Sequence, residues 1–197
     1  YREYEVSNID SQRMLAAVKG SGLGLMRGKD EDVRPRPLAG LAAADLPAGA
    51  TMEPLILTKT NARSTVHRSG YMDYIGVLVF DESGKAIREQ RFIGLYTSSA
   101  YKRRPWEIPL VRQRHEAAME ASGLGEGSHS GKALRHILET LPRDELFQAS
   151  NEELTRTCMG ILALQERMRP KLFLRRDPFG RFFSALVYIP RDRFSTD

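Results

Sequence analysis

The densest run of chemically capable side chains is Thr58-Lys-Thr-Asn-Ala-Arg-Ser-Thr-Val-His-Arg-Ser69. Lys59, Arg63, His67 and Arg68 together could hold a carboxylate or a phosphate, because a guanidinium presents a planar fork of donors and an ammonium a compact charge. Along an unbroken strand Lys59, Arg63 and His67 have one parity and so one face. In the competing reading they pair with Asp73 and Glu89 across a sheet, where an exposed pair contributes under about 1 kcal/mol. These four residues are the candidate effector contact.

Other chemistries fail on spacing. Gly20-Ser-Gly-Leu-Gly24 invites a dinucleotide loop, but counting from Gly22 the third glycine position is Arg27, and from Gly20 it is Leu25. No buried parallel strand precedes it either. Cys158 sits four residues after Leu154 and four before Leu162, on an apolar helical stripe, where a thiol is an inert core residue. His67, His115, His129 and His136 include no i, i+4 pair for a helical metal site. His115 shares a helix face with Val111, Ala118 and Met119 and reads as a packed histidine at the edge of a core. No nucleophile elbow is present. No catalytic, cofactor-binding or metal-binding residue is therefore assigned.

Elements must position the basic run, and the charge distribution shows where it lies. The chain has 197 residues and net charge +5, with 41% hydrophobic and 28% charged residues, which suits a globular fold. Residues 55–104 carry nine Lys/Arg against four Asp/Glu, and 171–197 carry six against three. Both segments read as strands, so either an anion-facing sheet or a solvated sheet face follows. No apolar run approaches the roughly 20 residues of a membrane helix. The single cysteine excludes internal disulfides and, with no secretory signal pattern at the N-terminus, places the chain in the cytoplasm by expectation. The chain starts on Tyr1 inside strand-like sequence, so a piece of something longer is expected.

The periodicities predict an α+β chain. Residues 1–6 alternate as a strand, 11–19 suit a short helix, and 20–54 form a Gly- and Pro-rich loop with one turn of helix at most. Strands are predicted at 55–62, 72–80 and 87–96, the last two joined through Asp81-Glu-Ser-Gly84, a type I turn pattern. Three helices follow. The first runs from Pro109 to Ser122, before Gly123. The second covers about 130–141, with Leu134, Ile137, Leu138 and Leu141 on one face. The Pro142–Phe147 turn leads to the third. It opens on the capping box Ser150-Asn-Glu-Glu153, carries the stripe Leu154, Cys158, Ile161, Leu162, Gln165 and Met168, and stops at Pro170. A hairpin closes the chain: Lys171–Arg176, the turn Asp177-Pro-Phe-Gly180, then Arg181–Ile189. Its second strand is apolar on both faces, so the hairpin should fold back onto the third helix or pair with a second copy, the latter being the favoured expectation.

Several stretches resemble the large bacterial NAD-dependent glutamate dehydrogenases. They are LILTKTNARSTVHRSGYMDYIGV (55–77), RFIGLYTSSAY (91–101), GKALRHILETLPRDELFQ (131–148), GILALQER (160–167) and LFLRRDPFGRFFSALVYIPRDRF (172–194). Residues 1–54 and 111–130 carry less of the resemblance. It implies a PAS-type regulatory segment between two ACT-type domains, with RRDPFGRF opening the second. The implied organisation is an antiparallel-sheet PAS-like domain over 1–104, a helical segment over 105–170, and the start of an ACT-like domain over 171–197. The family oxidises L-glutamate to 2-oxoglutarate and ammonia with NAD. The resemblance places the catalytic lysine and the NAD site outside this chain.

The favoured expectation is thus a non-catalytic regulatory and assembly segment. Its partners would be the rest of its polypeptide, further copies in a homo-oligomer, and a small effector such as an amino acid or another carboxylate. Two rivals are a purely structural spacer and a nucleic-acid-binding sheet using Tyr71, Tyr74, Phe92 and Tyr96. RFIGLYTS lacks the order of an RNP1 strand, which weighs against the second.

Overall fold

The computed structural model describes residues 1–28, 33–38, 53–164 and 169–190. They form two compact units, Tyr1–Leu95 and Tyr96–Asp197.

The first unit is a curled six-stranded antiparallel sheet. Its strands are β1 (Arg2–Ile9), β2 (Gln12–Ala17), β3 (Arg36–Pro37), β4 (Leu55–Arg63), β5 (Tyr71–Phe80) and β6 (Ala86–Gly94), in the order β3-β2-β1-β6-β5-β4. Asp10 and Ser11 join β1 to β2 at φ 49° and 64°, with Ile9 opposite Gln12. That is a two-residue hairpin turn, which needs positive φ at both positions. The helix expected over 11–19 is therefore a strand: the turn fixes the register, and pairing with β1 outweighs the helical propensity of Met-Leu-Ala-Ala. The turn at Asp81 is as expected, with the Gly84 amide donating to the Asp81 carbonyl at 3.0 Å and Gly84 at φ 78°. One sheet face buries Tyr4, Leu15, Leu38, Leu78 and Ala86, flanked by Val6, Ala17, Val33, Ile56 and Phe80. Within 20–54, a 3-10 turn at Gly24–Met26 and β3 are seen, and 29–32 and 39–52 lie outside the described residues.

The second unit is helical with a hairpin. Its helices are α1 (Ser98–Lys102), α2 (Pro109–Ser122), α3 (His129–Thr140), α4 (Arg143–Gln148) and α5 (Asn151–Leu162), and a 3-10 turn spans Pro105–Glu107. Gly123 caps α2 in the left-handed region, φ 66°. Ser128 accepts from the Gly131 amide at 2.9 Å to start α3, and the Ser150–Glu153 capping box starts α5. Two short helices, α1 and α4, join the three expected. The described helix α5 ends at Leu162, well before Pro170, while Gln165 and Met168 of the expected stripe lie outside the described residues. Val111, Ala118, Leu134, Leu138, Leu146, Leu154 and Cys158 form the helical core.

Strands β7 (Lys171–Arg176) and β8 (Phe183–Tyr188) pair antiparallel. The hairpin folds back on α5, as the first of the two expected arrangements has it. A Cβ on Gly160 would stand 2.6 Å from the Phe173 ring, so ring and helix backbone touch only because residue 160 has no side chain. The other face is open, with Leu174 60% and Phe183 67% exposed.

Candidate functional site

The predicted basic run divides between strand and turn. Lys59 Nζ lies 2.5 Å from Oδ1 of Asp73, whose side chain is buried. Arg63 lies over the Tyr71 ring, 5.0 Å from its centroid. The register shifts between them: Lys59 stands opposite Asp73 and Arg63 opposite Tyr71, so four steps on β4 face two on β5. Both counts are even, so Lys59 and Arg63 still stand opposite residues of one parity on β5; it is His67, beyond the end of β4, that leaves the expected common face. The Thr60 hydroxyl, bonded to both the carbonyl and the amide of Ala62, fills the bulge between them. His67 at φ 64° and Arg68 sit exposed in the following turn. Of the two expected carboxylate partners, Asp73 takes Lys59, whereas Glu89 is engaged by other groups.

Those groups form a buried ionic cluster on the core face of the sheet. The Glu89 carboxylate accepts from Arg91 Nε at 2.8 Å and Nη2 at 3.2 Å, and from the Tyr74 hydroxyl. The Arg91 guanidinium lies 3.7 Å from the Tyr4 ring centroid and 4.9 Å from that of Tyr74. Register explains the assembly: Tyr4 faces Glu89 across β1–β6, and Gly76 faces Arg91 across β5–β6. A Cβ on Gly76 would meet Glu89 Oε1 at 3.0 Å, so this glycine clears space for the carboxylate. Burial, then the neighbouring Glu89, raises the Tyr74 hydroxyl far above its usual range and keeps it a donor. For Arg91, burial works against the charge, but the Glu89 hydrogen bonds and the surrounding charges outweigh it and push the group up. Arg2, also buried, donates to the Met26 carbonyl at 2.5 Å and so ties down the glycine-rich loop. A Cβ on Gly22 would overlap that same carbonyl, which is why glycine stands there. Sequence reading missed this cluster. Its signal was Gly76 inside a strand, with Glu89 and Arg91 two apart on another.

The second unit holds a cleft of about 330 Å³ between α4, α5 and the hairpin. At one end Arg175 grips Glu145 with two bonds, 3.0 and 3.1 Å, and also donates to Gln148 at 3.1 Å. The Ser184 hydroxyl donates to the same Glu145. At the other end Lys171 reaches the Gly160 carbonyl at 3.5 Å and lies 5.1 Å from the Phe173 ring centroid. Leu141, Leu154 and Leu186 contribute apolar lining.

Of the other candidates, Cys158 is fully buried, and burial pushes its thiol up to about 12. His115 is buried edge-on to Trp106, ring centroids 6.4 Å apart, and burial lowers its pKa. Among the described residues no cluster of His, Cys, Asp and Glu is arranged to hold a metal, and no helix is long and apolar enough to cross a membrane.

With this geometry in place, comparison supplies the family. A family model described as "Glutamate dehydrogenase, helical motif 1" matches residues 108–167, and one described as "Glutamate dehydrogenase, ACT2 domain" matches 171–197. NAD-specific glutamate dehydrogenases from Halomonas elongata and Pseudomonas aeruginosa are 38% and 40% identical across 100% of this chain. One from Mycobacterium tuberculosis is 32% identical over 93% of it.

The chain belongs to the NAD-specific glutamate dehydrogenase family.

It spans only 12% of the length of the Halomonas and Pseudomonas proteins and 10% of the mycobacterial one. The match to these glutamate dehydrogenases includes residues 1–54 and 111–130, where the motifs were least distinctive. The second strand pair, with its Asp177–Gly180 turn, falls in the part matched by the ACT2 description.

Proposed function

We propose that this chain is a non-catalytic regulatory and assembly segment of a glutamate dehydrogenase that oxidises L-glutamate to 2-oxoglutarate and ammonia with NAD. The observation that carries the reading is how the chain's chemically capable groups are spent. Glu89, Arg91 and Tyr74 neutralise one another in a core, Cys158 is an inert packed thiol, and Glu145 is taken by Arg175 and Ser184. A catalytic group has to reach a substrate, and these do not.

The same reading makes 1–104 a PAS-like sheet domain, 105–170 a helical connector and 171–197 the start of an ACT-like domain. It makes the working location the cytoplasm and the working form a homo-oligomer. The continuous six-stranded antiparallel sheet supports the first assignment. NAD would bind elsewhere in the enzyme. Modules of this kind bind small effectors or associate through their sheets, which is an analogy of fold.

Removing these residues from the whole enzyme tests the role. The truncated enzyme should still reduce NAD with glutamate while its assembly state or its response to effectors changes. Loss of turnover with assembly and stability intact would contradict the proposal.

A further inference from the structure

We propose that the cleft between α5 and the β7–β8 hairpin binds a small monocarboxylate with an apolar tail. This deepens the regulatory reading and rests on it for the site's role, though not for its chemistry.

The size is right, since small-molecule sites start at about 300 Å³ and this cleft has about 330 Å³. The charge accounting selects the ligand. The lining includes two acids and three cations: Glu145, Glu153, Arg156, Lys171 and Arg175. Glu145 is gripped by Arg175 and Ser184, and Glu153 accepts from the Ser150 amide at 3.0 Å in the capping box. Both acids and one cation are thereby engaged. Lys171 has a carbonyl at 3.5 Å and a ring face, and among the described residues neither it nor Arg156 is in a recorded ion pair. Both cations line the same cleft. Arg156 stands four residues before Gly160, about 6 Å along the helix, and the Gly160 carbonyl is the group that Lys171 reaches.

A carboxylate at this end would complete two charge-assisted hydrogen bonds. The Phe173 ring lies beside Lys171, and Leu154 and Leu186 add apolar lining that suits an aliphatic tail. A second carboxylate at the far end would find Arg175 and Ser184 already committed to Glu145, and an amine at the near end would meet the cations. Both are disfavoured, which leaves the monoanion.

The test titrates the full 197-residue chain with hexanoate, acetate and hexylamine, following amide resonances. Hexanoate should saturate at one site and shift Gly160, Phe173 and Leu186, acetate should bind far more weakly, and hexylamine should leave these signals in place. Arg156→Gln and Lys171→Gln should each weaken hexanoate by about tenfold, the scale of one charge-assisted hydrogen bond. Thr157→Trp, which fills the cleft without changing its charge, should abolish saturation while circular dichroism stays unchanged. Absence of saturation, equal binding of hexylamine, or unchanged affinity in the folded double glutamine variant would overturn the assignment. Should hexanoate bind as described yet leave the kinetics and assembly of the whole enzyme untouched, the cleft stands and the regulatory reading falls.

Discussion

Glu89 and Arg91 form a buried ion pair in the first unit. Removing water from two charges is expensive, and their mutual attraction only offsets that cost when the geometry is complete. Here it is: both Glu89 oxygens accept, and two tyrosine rings flank the guanidinium. Glu89→Gln should therefore cost about 3–5 kcal/mol, the range for leaving a buried partner charge uncompensated. Denaturant unfolding measures it; a loss under about 1 kcal/mol would show that water reaches the cluster. His115 gives a pH signature in the second unit. Burial depresses its folded pKa, so the native state prefers the neutral ring. Its contribution is complete above the unfolded value of about 6.5 and is lost as pH falls below that toward the depressed folded value. Comparing thermal melts of the wild type and His115→Gln between neutral and mildly acidic pH isolates the effect, because the wild type should lose more stability on acidification than the variant. Equal losses would mean that the histidine titrates normally.

Elements with strong local chemistry were legible in the sequence, and those set by tertiary pairing were not. Helix α2 was readable to its ends because Pro109 opens it and Gly123 closes it. The capping box at Ser150 gave the start of α5, and the Asp81 and Asp177 turns gave two hairpins. Strand β2 was hidden because Asp10-Ser11 is not one of the glycine-containing pairs that announce a two-residue turn. Positive φ at a non-glycine costs about 1–2 kcal/mol, so Ser11→Gly should stabilise the first unit by up to about 1 kcal/mol after the loss of chain entropy. A lowered midpoint in urea would mean that the serine makes a contact worth more than its strain. The basic run was legible as a cluster but not as a shape. Parity predicted one face for Lys59, Arg63 and His67, but β4 ends at Arg63 and His67 falls in the turn beyond it. Where the strand stops is set by its pairing with β5, which leaves no reliable mark in a single sequence. The cleft was not readable either, because one end joins Glu145 to Arg175 and the other joins Gly160 to Lys171, pairs that meet only when the hairpin lies on α5.

At the scale of the molecule, each of the two compact units closes its own core around polar groups that satisfy one another. The first does so with an ion pair between two tyrosines. The second does so with Arg114, whose Nη1 donates to the Leu146, Phe147 and Ala149 carbonyls at the end of α4. Such arrangements make rigid supports and leave few side chains available for acid–base work. The anion site proposed above draws instead on Arg156 and Lys171, which line the cleft. Family membership agrees with this division, since the chain accounts for 12% of relatives named for a dehydrogenase reaction. The most direct measurement is NADH formation by the purified 197-residue chain with saturating L-glutamate and NAD, followed at 340 nm. The account predicts a rate equal to the protein-free control. Sustained turnover that copurifies with the chain and persists after contaminating enzyme is removed would contradict it.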